Sequence, residues 1–305
     1  MSLETDLLID RRRLKRRLFF WRVVAILAVV ACAAIAIRPA VPRSHVARLK
    51  VDGEISDTTR MVRALDAMAK DDSAKALVLD ISSPGGGVYA AEALHNAIAR
   101  VAEKKPVVAV MGALAASGGF MIAMPAKRIY ASTGTITGSI GVLLQTQEIS
   151  GLLDRVGVTA ETLTSGPLKD QPSLTHKLSD DGRAVLHGLV IDMYEQFVAI
   201  VADGRHMAPE RVRELADGRV YTGRQALKLG LIDAIGDEHD ARQWLQSNSG
   251  ISADLPIRDL RTKGRLQSVL ADAVAPFLSD TLKSVVYQGV ALDGAKALWQ
   301  PSSPE

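Results

Sequence analysis

Two glycine-rich stretches hold the residues best placed for chemistry. AASGG, residues 115–119, sets Ser117 between two alanines and two glycines. SPGGG, residues 83–87, closes the apolar run ALVLDIS and opens onto a helical pattern. Successive glycines reach backbone conformations closed to other residues, and they leave amide N–H groups uncovered. Such amides can hold an anion, either a phosphate or the oxyanion of a tetrahedral intermediate. SPGGG lacks the Gly-Lys-Ser/Thr of a nucleotide loop and the spacing of a dinucleotide fingerprint, which favours the oxyanion. A glycine-rich strand-to-helix turn can equally be structural.

Ser117 has two readings. It can cap the N-terminus of the helix that follows, or it can be a nucleophile beside the SPGGG amides, joined there by the N–H of Gly118. A serine hydroxyl attacks only once something removes its proton. No histidine or acid stands beside Ser117; Lys127 and Arg128 come some ten residues later. Lys169, in the loop sequence TSGPLKDQ, is either a solvated surface lysine or a base. The second role demands a neutral amine, hence an apolar or cationic setting. No spacing rule ties residue 117 to 169. The six histidines (His45, His95, His176, His187, His206 and His239) show no HExxH or similar ligand spacing, so no metal site is expected. A Ser-His-Asp triad stays open on spacing alone, because its members meet only in the fold.

The elements that must position these residues alternate. HVARLKVDGEI reads as a strand entering a turn at Asp52-Gly53, and Thr58 to Lys70 carries apolar residues at helical spacing. Residues 76–82 and 106–112 read as buried strands, separated by a helix over 89–102. This order predicts βαβ units and a largely parallel sheet. A short helix follows Ser117 to about Met124, with short strands near 128–131 and 141–145. Residues 180–204 form a long amphipathic helix, and helices flank RVYTGRQALKLGLID. A weaker amphipathic helix is expected from Gly264 to about Lys283.

Aromatic residues make up only 4% of the chain, which disfavours nucleic-acid binding through base stacking. The formal charge of +3 comes from a basic tail at residues 11–22; without it the remainder is mildly acidic. Cys32 is the one cysteine, which excludes an intrachain disulfide and a cysteine-based zinc cluster; it reads as a small apolar residue of a hydrophobic helix. VVAILAVVACAAIAI, residues 23–37, extends back to Leu18 across Arg22, about the 20 residues a membrane-crossing helix needs. The preceding arginines and lysines predict a cytoplasmic N-terminus and an exported remainder. A cleavable signal peptide is the rival reading, given the small-x-small look of Ala34-Ile35-Ala36.

Five blocks in order, LDISSPGGGV, GALAASGGFMIA, ASTGTITGSIGV, TSGPLKD and RVYTGRQALKLGLID, resemble the signal peptide peptidase A family of S49 serine proteases. The blocks run from Leu79 to Asp233, and the resemblance is taken to cover about residues 46 to 240. The resemblance implies an α/β, ClpP/crotonase-like β-β-α superhelix behind one N-terminal transmembrane helix, in the family's short form. It implies a serine endopeptidase with a Ser-Lys dyad, Ser117 as nucleophile and Lys169 as general base. Ser139 would orient the lysine, and the backbone amides of Gly86 and Gly118 would form the oxyanion hole. No metal or cofactor is implied. Implied substrates are remnant signal peptides, and the implied location is the bacterial inner membrane with the catalytic domain outside the cytoplasm. Subunits would form a homo-oligomer whose sites are completed by neighbours. The organisation is then a basic tail (1–18), an anchor (19–38), a linker (39–45), a peptidase domain (46–245) and a C-terminal helical extension (246–305). Alternatives left open are an inactive scaffold of the same fold and a crotonase-like acyl-CoA enzyme.

Overall fold

The computed structural model describes Arg17, residues 19–27, residues 44–262 and, as backbone, residues 295–298. The chain divides into two units, Met1–Arg43 and Ser44–Glu305. In the first, residues 19–27 are helical, and Phe19, Phe20 and Trp21 are exposed. The rest of the expected anchor and the helix expected over 264–283 lie outside the described residues.

The second unit begins with β1 (His45–Asp52), α1 (Thr59–Met68), β2 (Ala74–Ser83), β3 (Gly85–Gly87) and α2 (Val88–Ala102). Next come β4 (Val107–Ala116), α3 (Gly118–Met121), β5 (Arg128–Ala131), β6 (Ile136–Gly138), β7 (Leu143–Leu144) and α4 (Ser150–Arg155). It continues with α5 (Asp180–Arg205), α6 (Pro209–Leu215), β8 (Val220–Thr222), α7 (Gly223–Lys228), β9 (Ala234–Ile235), α8 (Glu238–Ser249), β10 (Ile257–Asp259) and β11 (Ala295–Leu298).

The main sheet runs β10-β1-β2-β4-β5-β9, and every pair along that path is parallel. Its central strands read as unbroken apolar runs because both faces are covered. Ala47, Leu49, Val51, Leu77, Leu79, Ile81, Val107, Ala109 and Met111 belong to the larger core cluster, with residues of α1, α2 and α5. The residues between them, Val46, Ala76, Val78 and Val108, join Ala241 and Leu245 of α8 in a second cluster. Period-two alternation therefore divides each strand between two cores. Since β10 pairs with β1, the sheet draws on residues beyond 245. Arg48 of β1 bonds Asp259 of β10 at 2.6 Å and Glu238 of α8 at 2.9 Å, tying that edge down.

Two features aim the sheet's carboxyl end at one place. Along β4, Ile81 pairs with Met111 but Ser83 pairs with Ala115, so three residues of β4 stand where β2 supplies one. This bulge bends the strand. Before it β4 pairs with β5; after it, Leu114–Ala116 pair with β6 instead. The strand expected over 106–112 thus runs on to the residue before Ser117. Of SPGGG, expected as a turn, Ser83 ends β2 and Gly85–Gly87 form the strand β3. β3 pairs with β11, and β11 with β7, in a small antiparallel sheet separate from the main one.

Helix α5 carries its own division. Phe197, Val198, Val201 and Ala202 are buried in the core, whereas Val185, Leu189 and Ile191 are exposed. By length and composition it is apolar enough to cross a membrane, but its C-terminal half is a core helix of this domain.

Candidate active site

Ser117 stands at the junction of β4 and α3 with φ 54° and ψ −120°. A left-handed φ is costly for a side chain with a Cβ, and such strain is kept where the surroundings fix it. Here the surroundings do so from both sides. The Ser117 N–H donates to the Gly138 carbonyl at 2.7 Å, and the Ser117 carbonyl accepts from Phe120 and Met121 at 2.9 Å. Thr137 Oγ1 donates to the Ala115 carbonyl at 2.7 Å, and Thr135 Oγ1 to that of Gly112 at 2.8 Å, bracing the bent end of β4.

Ser117 is 1% exposed, and among the described residues its Oγ has no hydrogen-bond partner. It makes no capping bond to α3. The capping reading therefore fails. A buried hydroxyl left unpaired costs about 1–3 kcal/mol, and a strained, unpaired serine of this kind fits a group held ready for something other than stability. Helix α3 is only four residues long, so its dipole adds little; whatever anion binding occurs here must come from individual amides.

Gly118 follows Ser117 directly, and Gly86 packs against Gly118. A Cβ placed on Gly118 would lie 3.0 Å from Ala91 Cβ, 3.3 Å from Gly85 Cα and 3.4 Å from Gly86 N, so the two glycine stretches touch. As first residue of α3, Gly118 has an N–H that the helix itself cannot bond. Gly86 is fixed by Ile55: Ile55 N–H donates to the Gly85 carbonyl at 2.8 Å, and Gly87 N–H to the Ile55 carbonyl at 2.9 Å. A Cβ on Gly86 would stand 2.1 Å from that Ile55 carbonyl, which no side chain tolerates. Ser83, fully buried, donates its Oγ to the Gly53 carbonyl at 2.6 Å and accepts from Gly85 N–H at 3.1 Å.

Ser139 lies one residue beyond the carbonyl that receives the Ser117 N–H, and is buried. It also has a left-handed φ, 51°, and its N–H donates to the Arg219 carbonyl at 2.9 Å. Among the described residues, only Ser117, Ser139 and the helix-capping His206 are non-glycine residues with positive φ. Ser117, Ser139, Gly86 and Gly118 are thus gathered in one place. Lys169 is placed otherwise. It sits exposed in a turn, its N–H on the Gly166 carbonyl at 3.1 Å, and it does not meet the Ser117 hydroxyl within the chain.

The model of peptidase family S49 matches residues 99–252, just over half of the chain, and the Clp protease model matches residues 43–136. The chain belongs to peptidase family S49. A protein of Synechocystis sp. that carries a protease name (slr0021) is 43% identical over 70% of this chain and 77% of its own length. A protein of Enterococcus faecium named as a signal peptide peptidase SppA is 36% identical, over 68% of this chain and 64% of its own. Protease 4 of Salmonella typhi is 38% identical over 62% of this chain, which is 30% of that longer protein. Among solved structures, a variant of the 1510-N membrane-bound stomatin-specific protease aligns with TM-score 0.49 and 17% identity, over 72% of this chain and 99% of its own.

The S49 membership makes this chain a serine peptidase by family, with the ClpP-like α/β fold expected from its sequence. The candidate site also leans on residues that the sequence does not single out. Ile55, through backbone bonds alone, and Thr135 and Thr137, through ordinary hydroxyl bonds, leave no mark in the sequence that could have flagged them. Ser83 had a signal, as the residue that opens SPGGG.

Proposed function

We propose that this protein is a membrane-anchored endopeptidase that cleaves peptide bonds with Ser117 and Lys169, acting on remnant signal peptides left after preprotein processing. The observation that carries the reading is the Ser117 hydroxyl, buried, strained in φ and unpaired, followed by Gly118, against which Gly86 packs. In this mechanism Ser117 Oγ attacks the scissile carbonyl carbon while the Lys169 amine takes its proton. The amides of Gly86 and Gly118 receive the developing oxyanion, and removal of such a donor typically costs about 10²–10³-fold in kcat. The lysine then passes the proton to the leaving amine. Ser139 orients the lysine. Water releases the acyl group by the same route in reverse.

Lys169 reaches the serine of a neighbouring subunit in this reading. Its exposure supports that, as do the exposed apolar residues of the same chain stretch: Leu152, Val156, Leu163, Leu168 and Leu174. A homo-oligomer would cover them. The exposed aromatic and aliphatic side chains of helical residues 19–27 support the anchor, and the Enterococcus faecium relative's name supports the substrate class.

The test is complementation. Ser117→Ala and Lys169→Ala chains are each expected to be inactive on a fluorogenic peptide. Co-assembled, they regain part of the activity, because some interfaces then pair an intact serine with an intact lysine. Full activity of either single variant, or no recovery in a verified mixed oligomer, overturns the reading.

A further inference from the structure

The turn that carries Lys169 is held loosely on its own side. The Lys169 N–H and the Thr164 hydroxyl both donate to the Gly166 carbonyl, at 3.1 and 3.0 Å, bonds that close within the turn. Asp170 lies 3.6 Å from His176, but both side chains are well exposed and the contact contributes little. Gln171 is different. It is partly buried, and its Oε1 accepts the N–H of Ser179 at 3.2 Å.

Ser179 caps helix α5, its Oγ accepting from the Gly182 N–H at 3.0 Å. In a complete capping box, the third residue of the helix carries a side chain that returns to the N–H of the cap. Helices α7 and α8 are closed in this way, by Thr222 with Gln225 and by Asp237 with Asp240. In α5 that third residue is Gly182, which has no side chain to return. Gln171, eight residues before the cap, supplies the missing acceptor from outside the helix. The glycine makes room for it. A Cβ on Gly182 would lie 2.6 Å from Gln171 Oε1 and 3.0 Å from its Cδ and Cγ. Glycine is otherwise a poor helix former, so the position favours the latch over the helix.

Helix α5 is rooted in the core through Phe197, Val198, Val201 and Ala202. Gln171 lies two residues from Lys169, at most about 7 Å of chain. We propose that Gln171 is a positioning residue for the reaction: by completing the cap of α5, it fixes the turn from which the Lys169 amine reaches the serine. The proposal rests on Lys169 being the base. In that reading the neighbouring subunit covers the turn, and the latch sets how the turn meets it.

The test measures steady-state cleavage of a fluorogenic peptide by the full-length chain, together with oligomer mass by light scattering. Gln171→Ala is expected to lower kcat by about 10- to 100-fold at unchanged KM and unchanged mass, as for a catalytic group displaced by a small distance. Gln171→Glu keeps an acceptor of the same length for the Ser179 N–H and is expected to retain most of the activity. Gly182→Ala should match Gln171→Ala, because its Cβ evicts the amide, and the double variant should lose no more than either alone. Full kcat in Gln171→Ala, or a loss that Gln171→Glu shares, overturns the proposal. So does a fall in mass that accounts for the loss, or single losses that multiply in the double variant. Lys169→Ala is run alongside. If it is inactive while Gln171→Ala has full kcat, only this proposal fails. If it keeps wild-type activity, the lysine reading fails and this proposal with it.

Discussion

The two halves of the proposed dyad are built in opposite ways. Ser117 is held in a cage: buried, at a left-handed φ, its N–H on Gly138, with Gly86 and Gly118 packed beside it. Lys169 lies in a stretch where α4 has no buried residue and where Leu163 is 91% exposed. The nucleophile's geometry is decided within one chain, by backbone hydrogen bonds and close glycine contacts. The lysine's geometry is left to whatever covers that exposed apolar surface. Under the proposed mechanism, catalysis gated by assembly is the expected outcome, because an isolated subunit would lack the base for its serine.

The sharpest break of this comparison is kinetic. Ser117→Ala and Lys169→Ala should each reduce kcat/KM for peptide cleavage by on the order of 10⁴-fold, with unfolding transitions close to wild type. A loss confined to Ser117→Ala would strip the lysine of its role.

A structural break should separate the halves next. Gly86→Ala forces a Cβ to 2.1 Å from the Ile55 carbonyl and should cost about 3 kcal/mol in urea unfolding as well as activity. Gly166→Ala, in the lysine turn, has open space around its Cβ and should change stability by no more than about 0.5 kcal/mol. Equal effects at the two glycines would erase the contrast.

The exposed face of α5 gives a third test. Val185→Glu combined with Leu189→Glu should leave the unfolding free energy within about 0.5 kcal/mol, since both side chains are solvent-exposed in the single chain. The same pair should lower the mass measured by light scattering and abolish activity together. Unchanged mass would show that this face is not an interface.

The smallest effect lies far from the site. Hydrogen bonds from Arg48, then its charge, hold the Asp259 carboxyl below the usual carboxylate range against a partial opposing effect of burial. A depressed carboxylate stabilises the fold above its unfolded-state pKa, and that stability fades as pH falls through the folded value. The pair is half-exposed on the aspartate side, so about 0.5 kcal/mol is expected. Asp259→Asn should cost this much in urea unfolding at neutral pH and nothing at about pH 2, a control for any lysine-dependent change in activity.

Much of the parallel sheet was legible in the sequence, since buried strands between helices announce themselves through apolar runs and glycine ends. Residues 76–82 and 106–112 were read as strands and are, although β4 extends to Ala116 and β2 begins at Ala74. The run Gly85–Gly87, expected as part of a turn, forms a strand. Its three residues have no side chains with which to show period-two alternation, so a strand made of them is invisible to pattern.

By itself, the amino-acid sequence determined the family, the alternation of strands and helices, and the short list of Ser117, Lys169, Ser139, Gly86 and Gly118. The alternation rests on local chemistry, which residue type and order carry directly; the family and the short list come from the resemblance of five ordered motif blocks. Only the tertiary structure decided that Ser117 does not cap its helix, that Ile55 fixes the direction of the Gly86 amide, and that residues 295–298 pair with β3 and β7. Each depends on backbone groups far apart in the chain. A backbone N–H or carbonyl is the same at nearly every residue, so nothing in the sequence records where it points.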